Sequence, residues 1–518
     1  MKLREDIVAV YREVHSWVGI LAALFLFVAF YAGAVSMFEQ TLQNWLTPES
    51  HLPAPLSLDR TPELMEKAFA AFPDARRNYT IVLTPDKTQP ARLVWPQNPK
   101  SHDHGPAHLV AAALDPNGIL ITEKRPPSET AHFIDVLHQR VGLPLPEGIA
   151  MPFMGIVALA YAIALVSGVI AFLPALKRTL FAVRLEGGKR RAWLDLHNIF
   201  GFFSLPFHVV MAITSVLFAF HEPIYAVQNI LFHNDVRQIH PQQHPSPARE
   251  VAPLLTPTAL VASLAQQAPG FVPDTLNYAT RPGPGGGTLM LRVAGHDTRF
   301  VMRGPNAGFA VMDPASGRIL STDYLPGHQS GGFATITSFF SLHFGSYGGY
   351  PVRWAYLVLG FGGAFLFYTG NQLWIMARQR RERATGLVTE TRGSRILSSL
   401  TIGCTTGCMA GIAAIIALAA VIPNPMAYMP VALTYYATFL FCTLLAFILP
   451  SQSKAAVLFC ITALSHIALA VAALIRGASF GDDSSFIVAA LAFILALIFF
   501  MVAKKRGYSA LTSFKKAL

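Results

Sequence analysis

Charge is scarce in this chain. Only 13% of its 518 residues are Asp, Glu, Lys or Arg, about half the share of an ordinary soluble domain. Cysteine is scarcer still: Cys404, Cys408, Cys442 and Cys460 all fall in the apolar C-terminal third. The long polar stretches hold none, so no disulfide framework braces them. Without a Cys-x-x-Cys-His run, covalent c-type haem attachment is excluded as well. Cys404 and Cys408 lie on one helix face, a spacing open to metal or redox work, but small apolar residues of a membrane helix is the plainer expectation. No G-x-G-x-x-G joins a strand to a helix and there is no P-loop; Gly283–Gly287 is a Pro-Gly loop. The chain thus carries no recognisable nicotinamide or nucleotide domain. No Ser/His/Asp arrangement or H-E-x-x-H run supports hydrolysis.

Hydrophobic residues make up 53% of the chain, and mean hydropathy is +0.43. They gather in runs of roughly 20 residues, long enough to cross a ~30 Å hydrocarbon core. Eight spans are expected, at about 16–38, 150–174, 194–220, 352–376, 396–421, 427–449, 454–475 and 484–503. The first is too long for a signal-peptide core and is followed by no small-residue cleavage site, so it reads as a retained helix. The net charge of +11 does not point to nucleic acid, because the basic residues crowd beside span ends. They include Lys2, Arg4 and Arg12, the connection from Lys177 to Arg191, the connection from Arg378 to Arg395, and Lys504 to Lys516. The positive-inside rule then puts both termini in the cytoplasm. It puts the polar segments 39–149 and 221–351 outside, in the periplasm of a Gram-negative cell.

An internal repeat is expected to organise the first 376 residues. His15-Ser-Trp-Val-Gly19 opens span one, and His197-Asn-Ile-Phe-Gly201 opens span three. Each outer segment carries alternating runs that read as strands, Thr80–Thr84 with Arg92–Trp95, and Leu289–Val293 with Arg299–Met302. A turn follows, Asp115-Pro-Asn-Gly118 or Asp313-Pro-Ala-Ser-Gly317, then Leu137-His138 or Leu342-His343, then a span with Ser167-Gly168 or Thr369-Gly370. The expected fold is a polytopic α-helical membrane protein with two α+β outer modules. Its parts are a unit over 1–174, a unit over 190–376 and a four-helix membrane unit over 396–503. Two loop clusters, His102, Asp103, His104 and His108, and His233, His240 and His244, have a metal-binding composition. Among Pro and Gly on exposed loops, solvated side chains are the expectation.

The repeat pairs histidines by side. His15 and His197 sit at the cytoplasmic mouths of spans; His138 and His343 sit just before spans two and four on the outer side. Two neutral imidazoles facing across a gap are what a bis-histidine haem requires. Gly19 and Gly201, four residues after their histidines, would let a flat macrocycle approach the backbone. Two iron centres would divide a ~30 Å core that is too thick for one efficient electron hop. His208, about three turns beyond His197, is also a candidate. It would replace one of the four ligands or serve a third site with His221 or His343.

These residues resemble the PepSY-associated transmembrane family over roughly residues 8–380. The likeness is carried by His15-Ser-Trp-Val-Gly19, the Asp-Pro turns, Leu137-His138, Leu342-His343 and Thr369-Gly370-Asn371. Span three departs from the pattern, with Ile213-Thr214-Ser215 where a small-residue pair with Gly is expected. Family members are iron-regulated bacterial inner-membrane proteins, some of which reduce ferric siderophores with two b-type haems. The resemblance implies non-covalent haem b on His15 and His197 at one face and on His138 and His343 at the other. It implies a ferric chelate as the electron acceptor, met by PepSY-like outer modules whose Tyr324, Phe339, Phe340, Tyr347 and Tyr350 are candidates to line a cleft. With no nucleotide domain, electrons would come from a quinol or a cytoplasmic reductase. Two other classes are weighed against this one. A non-redox binding or regulatory protein would need no histidines at both faces. A permease would need intramembrane charges along a path, and spans five to eight offer only His466 with flanking Asp482 and Asp483.

Overall fold

A computed structural model describes residues 4–86, 89–98, 108–175, 189–221, 253–281, 287–301, 307–384, 386, 390–480 and 483–515. The cluster at His102–His104 and the histidines at 233, 240 and 244 lie outside the described residues. In chain order the elements are α1 (Glu5–Ser36), α2 (Glu39–Leu46), α3 (Thr61–Ala71), β1 (Asn78–Val82), β2 (Leu93–Pro96), β3 (Leu109–Leu114) and β4 (Leu120–Arg125). Next come α4 (Glu129–Gln139), α5 (Glu147–Phe172), α6 (Lys189–Phe203), α7 (Leu205–Ala219), α8 (Pro257–Gln267), β5 (Val272–Arg281), β6 (Thr288–His296), β7 (Gly308–Met312) and β8 (Ile319–Tyr324). The chain ends with α9 (Gly331–Phe344), α10 (Gly349–Ala384), α11 (Arg392–Val421), α12 (Tyr428–Ile448), α13 (Lys454–Phe480) and α14 (Asp483–Lys515). Two compact units result, one of residues 1–46, 128–221 and 354–518, the other of 47–127 and 222–353.

The first unit is helical, and among the described residues seven helices are long and apolar enough to cross a membrane, with α6 and α7 as a further bent pair. Its outward surface is apolar: Leu21 is 73% exposed, Ile156 62% and Ile448 77%. Such faces are stable against lipid and would aggregate in water. The protein is therefore a multi-pass membrane protein. The third expected span, over about 194–220, is bent. The chain bends by 69° between Arg190–Phe203 and Leu205–Ala219. Pro206 stands in the first turn of α7, where it has no N–H to offer and would crowd a continuing helix. Ser204 bridges the break, its Oγ donating to Phe200 O and its backbone O accepting from His208 N.

The last four helices pack through small residues. A side chain added at Gly403, Gly407 or Gly411 of α11 would meet Thr443, Phe439 or Tyr435 of α12 within 3 Å. This is the small-xxx-small geometry that lets membrane helices close. Cys404 and Cys408 belong to this packed helix and are free thiols.

The second unit is built on one antiparallel sheet, order β4-β3-β2-β1-β5-β6-β7-β8. The strands of the two polar segments therefore form a single sheet, joined where β1 pairs with β5 in the register Tyr79↔Tyr278. Those rings stack 4.5 Å apart, and pairing the two edges removes two open strand edges. Helices α3 and α8 bury Leu64, Ala68, Leu260 and Leu264 with Ile81, Leu93, Leu276 and Leu291 in the core of this unit. The expected turns are present, with Gly118 at φ 79° and Gly317 at φ 70°. The expected strand at Arg299–Met302 is not. Arg299 is instead tied into a turn by Asp297, through Nε at 3.0 Å and Nη2 at 2.8 Å, while Met302 lies outside the described residues. Leu289–Val293 falls in β6, the partner of β5.

Glu39, just past α1, titrates abnormally: burial, and then the nearby Asp135 carboxylate, push its carboxyl up to about 7. A raised pKa favours the protonated form in the folded state. Its stabilisation is full below the usual carboxylate range and lost as pH rises through about 7. Glu39→Gln is expected to raise the melting temperature of detergent-purified protein at pH 8 by the equivalent of about 1 kcal/mol, after screening of this part-exposed group. Near pH 4 it should change nothing. A lower melting temperature at pH 8 would contradict the assignment.

Candidate functional site

Four of the histidines singled out in the sequence lie in the helical unit, and each is held the same way. His15 of α1 reaches across to α5, with its Nδ1 2.8 Å from Ala164 O. Its ring lies over Gly168, where an added Cβ would stand 2.8 Å from the imidazole. His197 of α6 reaches across to α10, with its Nδ1 2.9 Å from Thr369 Oγ1, and its ring lies 3.5 Å from a Cβ built on Gly370. His138 of α4 turns Nδ1 to Ala29 O of α1 at 2.8 Å, and a Cβ at Gly33 would be 2.7 Å from that ring. His208 of α7 places Nδ1 2.5 Å from the Tyr161 hydroxyl of α5, with Gly363 of α10 beside it. In every case a neighbouring helix supplies an oxygen for Nδ1 and a glycine lies beside the ring, and at Gly33 and Gly168 no larger residue would leave room for it.

This pattern decides the tautomer. A carbonyl only accepts, so the Nδ1 atoms of His15 and His138 carry the proton. Thr369 spends its own proton on Leu366 O at 2.7 Å, and Tyr161 spends its proton on His208 O at 3.2 Å. The Thr369 hydroxyl therefore accepts from Nδ1–H of His197, and we read the Tyr161 hydroxyl in the same way. A ring protonated on Nδ1 carries no proton on Nε2, the form in which imidazole binds a metal. His208 shows this most clearly. The residue is 1% exposed, ringed by Phe30, Phe207 and Phe367, and its buried Nε2 has no hydrogen-bond partner among the described residues.

The structure also brings two of the rings together. The centroids of His15 and His197 are 6.2 Å apart. Metal–nitrogen bonds of about 2 Å, usual for imidazole, put two rings on opposite sides of one ion about 6 Å apart. Above Gly19 an added Cβ would meet nothing within 4 Å, and at Gly201 only Leu366 at 3.6 Å, which leaves space beside both histidines. Among the described residues no group of three or more His, Cys, Asp or Glu gathers at one point. A zinc-type site wants three or four protein ligands; two facing imidazoles suit a metal whose other ligands come from a macrocycle.

Residues 12–377 match the family described as the PepSY-associated TM region. The chain belongs to this family. No curated protein matches it. The PepSY-associated TM region takes in all five histidines singled out in the sequence, His15, His138, His197, His208 and His343, and leaves α11 to α14 outside it. His343 is on α9, in the other compact unit from His138, and its ring meets Phe344 at 5.5 Å. The expected outer pair is therefore divided between the units. Outside the PepSY-associated TM region, His466 turns its Nδ1 to Thr462 O of its own helix at 2.8 Å and packs on Phe499, an ordinary buried histidine.

Some parts of the site were not anticipated. Tyr161 and Gly33 carry no motif by themselves; their roles depend on which helices meet. The Ser167-Gly168 and Thr369-Gly370 pairs were visible, but their purpose was not. Nitrogen NMR of histidine-labelled apo-protein should show the Nδ1–H tautomer for His15, His197 and His208. Gly168→Val should change the His15 signals and leave those of His208 in place. An Nε2–H tautomer at His15 would remove the basis for metal ligation.

Proposed function

We propose that this protein carries electrons across a bacterial inner membrane through two non-covalent b-type haems and reduces a ferric chelate, such as a ferric siderophore, on the periplasmic side. The single observation that carries the reading is the His15–His197 pair, with Nδ1 of each ring engaged and 6.2 Å between ring centres. The residues fit the group, since a haem would be held by two histidine nitrogens with open space beside them. His15 and His197 would hold the first haem. The second would draw its ligands from the remaining candidates, which within the helical unit are His138 and His208.

When bound, haem b supplies a reversible one-electron Fe(III)/Fe(II) couple. The protein's own residues do the rest. Ala164 O and Thr369 Oγ1 fix the ring orientation and tautomer, which sets the electron donation of each imidazole. Phe30, Tyr161, Phe207 and Phe367 exclude water around His208. The charge pattern at the span ends supports cytoplasmic termini, so electrons would enter there from a quinol or a cytoplasmic reductase. The substrate's Fe(III), held by hard oxygen ligands, would take one electron and leave as the more weakly held Fe(II). We read α3 with β1–β4 and α8 with β5–β8 as two PepSY-like modules from a duplication, which would meet the chelate in the periplasm. A non-redox docking protein would have no use for histidines stripped of a proton on Nε2.

The deciding measurement is a dithionite-reduced minus oxidised spectrum with pyridine haemochrome quantitation on detergent-purified protein, expected to give about two haem b per chain. His15→Ala and His197→Ala should each remove the same haem and cut ferric-siderophore reduction at least tenfold. Unchanged haem content in both variants would sink the ligand assignment.

A further inference from the structure

The Tyr161–His208 contact lies away from the His15–His197 pair but keeps a fixed relation to it. Tyr161 precedes Gly168 by seven residues on α5, and Gly363 precedes Gly370 by seven on α10. Seven residues are two turns of helix, so each pair shares a face about 10 Å apart along the axis. Gly168 and Gly370 seat the rings of His15 and His197; Tyr161 and Gly363 flank His208. The same two helices therefore present a second histidine position two turns from the first. At that position the imidazole is buried, the phenol oxygen takes the Nδ1 proton, and the Nε2 lone pair has no donor among the described residues. A lone pair stranded in this way costs free energy unless something binds it.

Resting on the haem reading above, we propose that His208 is an axial ligand of the second haem and that Tyr161 is its positioning residue. The phenol does not touch the iron. It holds the ring in one tautomer and, by accepting from Nδ1–H, makes the imidazole a stronger electron donor. That bond favours Fe(III) and keeps the potential of this haem low. Phenylalanine at 161 would keep the packing against Phe30 and Phe367 and remove only the hydrogen bond, so a purely structural role would leave the potential where it is.

The test uses the full chain in detergent. His208→Ala should lower the haem content by one per chain while the haem of the His15–His197 pair keeps its low-spin spectrum, an internal control for folding. Tyr161→Phe should keep both haems, raise the midpoint potential of one and change its low-spin EPR signal, with the other unmoved. Loss in Tyr161→Phe of the haem missing from His208→Ala would also support the assignment. Two low-spin haems retained in His208→Ala, or unmoved potentials and EPR signals in Tyr161→Phe, would overturn it. Absence of haem from the unsubstituted protein would instead overturn the broader reading of the site.

Discussion

The helical unit turns on one kind of interaction, repeated four times: a histidine on one helix gives its Nδ1 proton to an oxygen on the next. The carbonyls of Ala164 and Ala29 and the hydroxyls of Thr369 and Tyr161 are those oxygens. Each bond crosses between helices in a medium where water cannot replace it. It therefore does two things together. It ties α1 to α5, α6 to α10, α4 to α1 and α7 to α5, and it sets the protonation state of the ring. Glycine is the enabling residue. At Gly33 and Gly168 even a methyl group would collide with the imidazole, so the ring and its acceptor meet only if the opposing helix has no side chain there.

The break between α6 and α7 follows from the same requirement. His197 and His208 are 11 residues apart, which on a straight helix puts them on one face about 16 Å apart. Their partners lie on different helices, α10 for the first and α5 for the second. A straight α6–α7 segment would aim both rings the same way. The bend before Pro206 re-aims the second half, and Ser204 gives both its backbone N–H and its hydroxyl to the carbonyl of Phe200 at the break. Proline here changes direction more than it weakens the helix. Around this centre α11 supplies a rigid wall, its three glycines closing on α12, and the core of Phe27, Tyr31 and Phe133 continues into that wall.

Much of this was legible from residue order alone. Length and apolarity located the spans, because a ~30 Å core sets a nearly fixed ruler. The histidines were found because an ionisable residue at a span needs a reason to be there. What stayed hidden depended on contacts between helices. Tyr161 is one aromatic among many until α5 meets α7. Strands were harder for a different reason. β3 reads Leu-Val-Ala-Ala-Ala-Leu and is buried on both faces for most of its length, so it lacks the alternation that marks a half-exposed strand. At Arg299 the alternation was present but misleading, because the Asp297 carboxylate captures the arginine and closes a turn.

The stranded Nε2 of His208 has a thermodynamic consequence that separates a ligand site from a packing accident. A buried acceptor without a donor costs about 1–3 kcal/mol, and a span could avoid that cost with leucine or phenylalanine at the same position. The residues around His208 make the cost larger, since Phe30, Phe207 and Phe367 keep water out. Glutamine or serine placed to donate would have satisfied the lone pair, and the Tyr161 hydroxyl faces the other nitrogen. The described residues thus offer this lone pair no donor. Binding energy from a metal at that point would be folding energy for the bundle, so the helices that hold the histidines gain stability from the group they are arranged to receive.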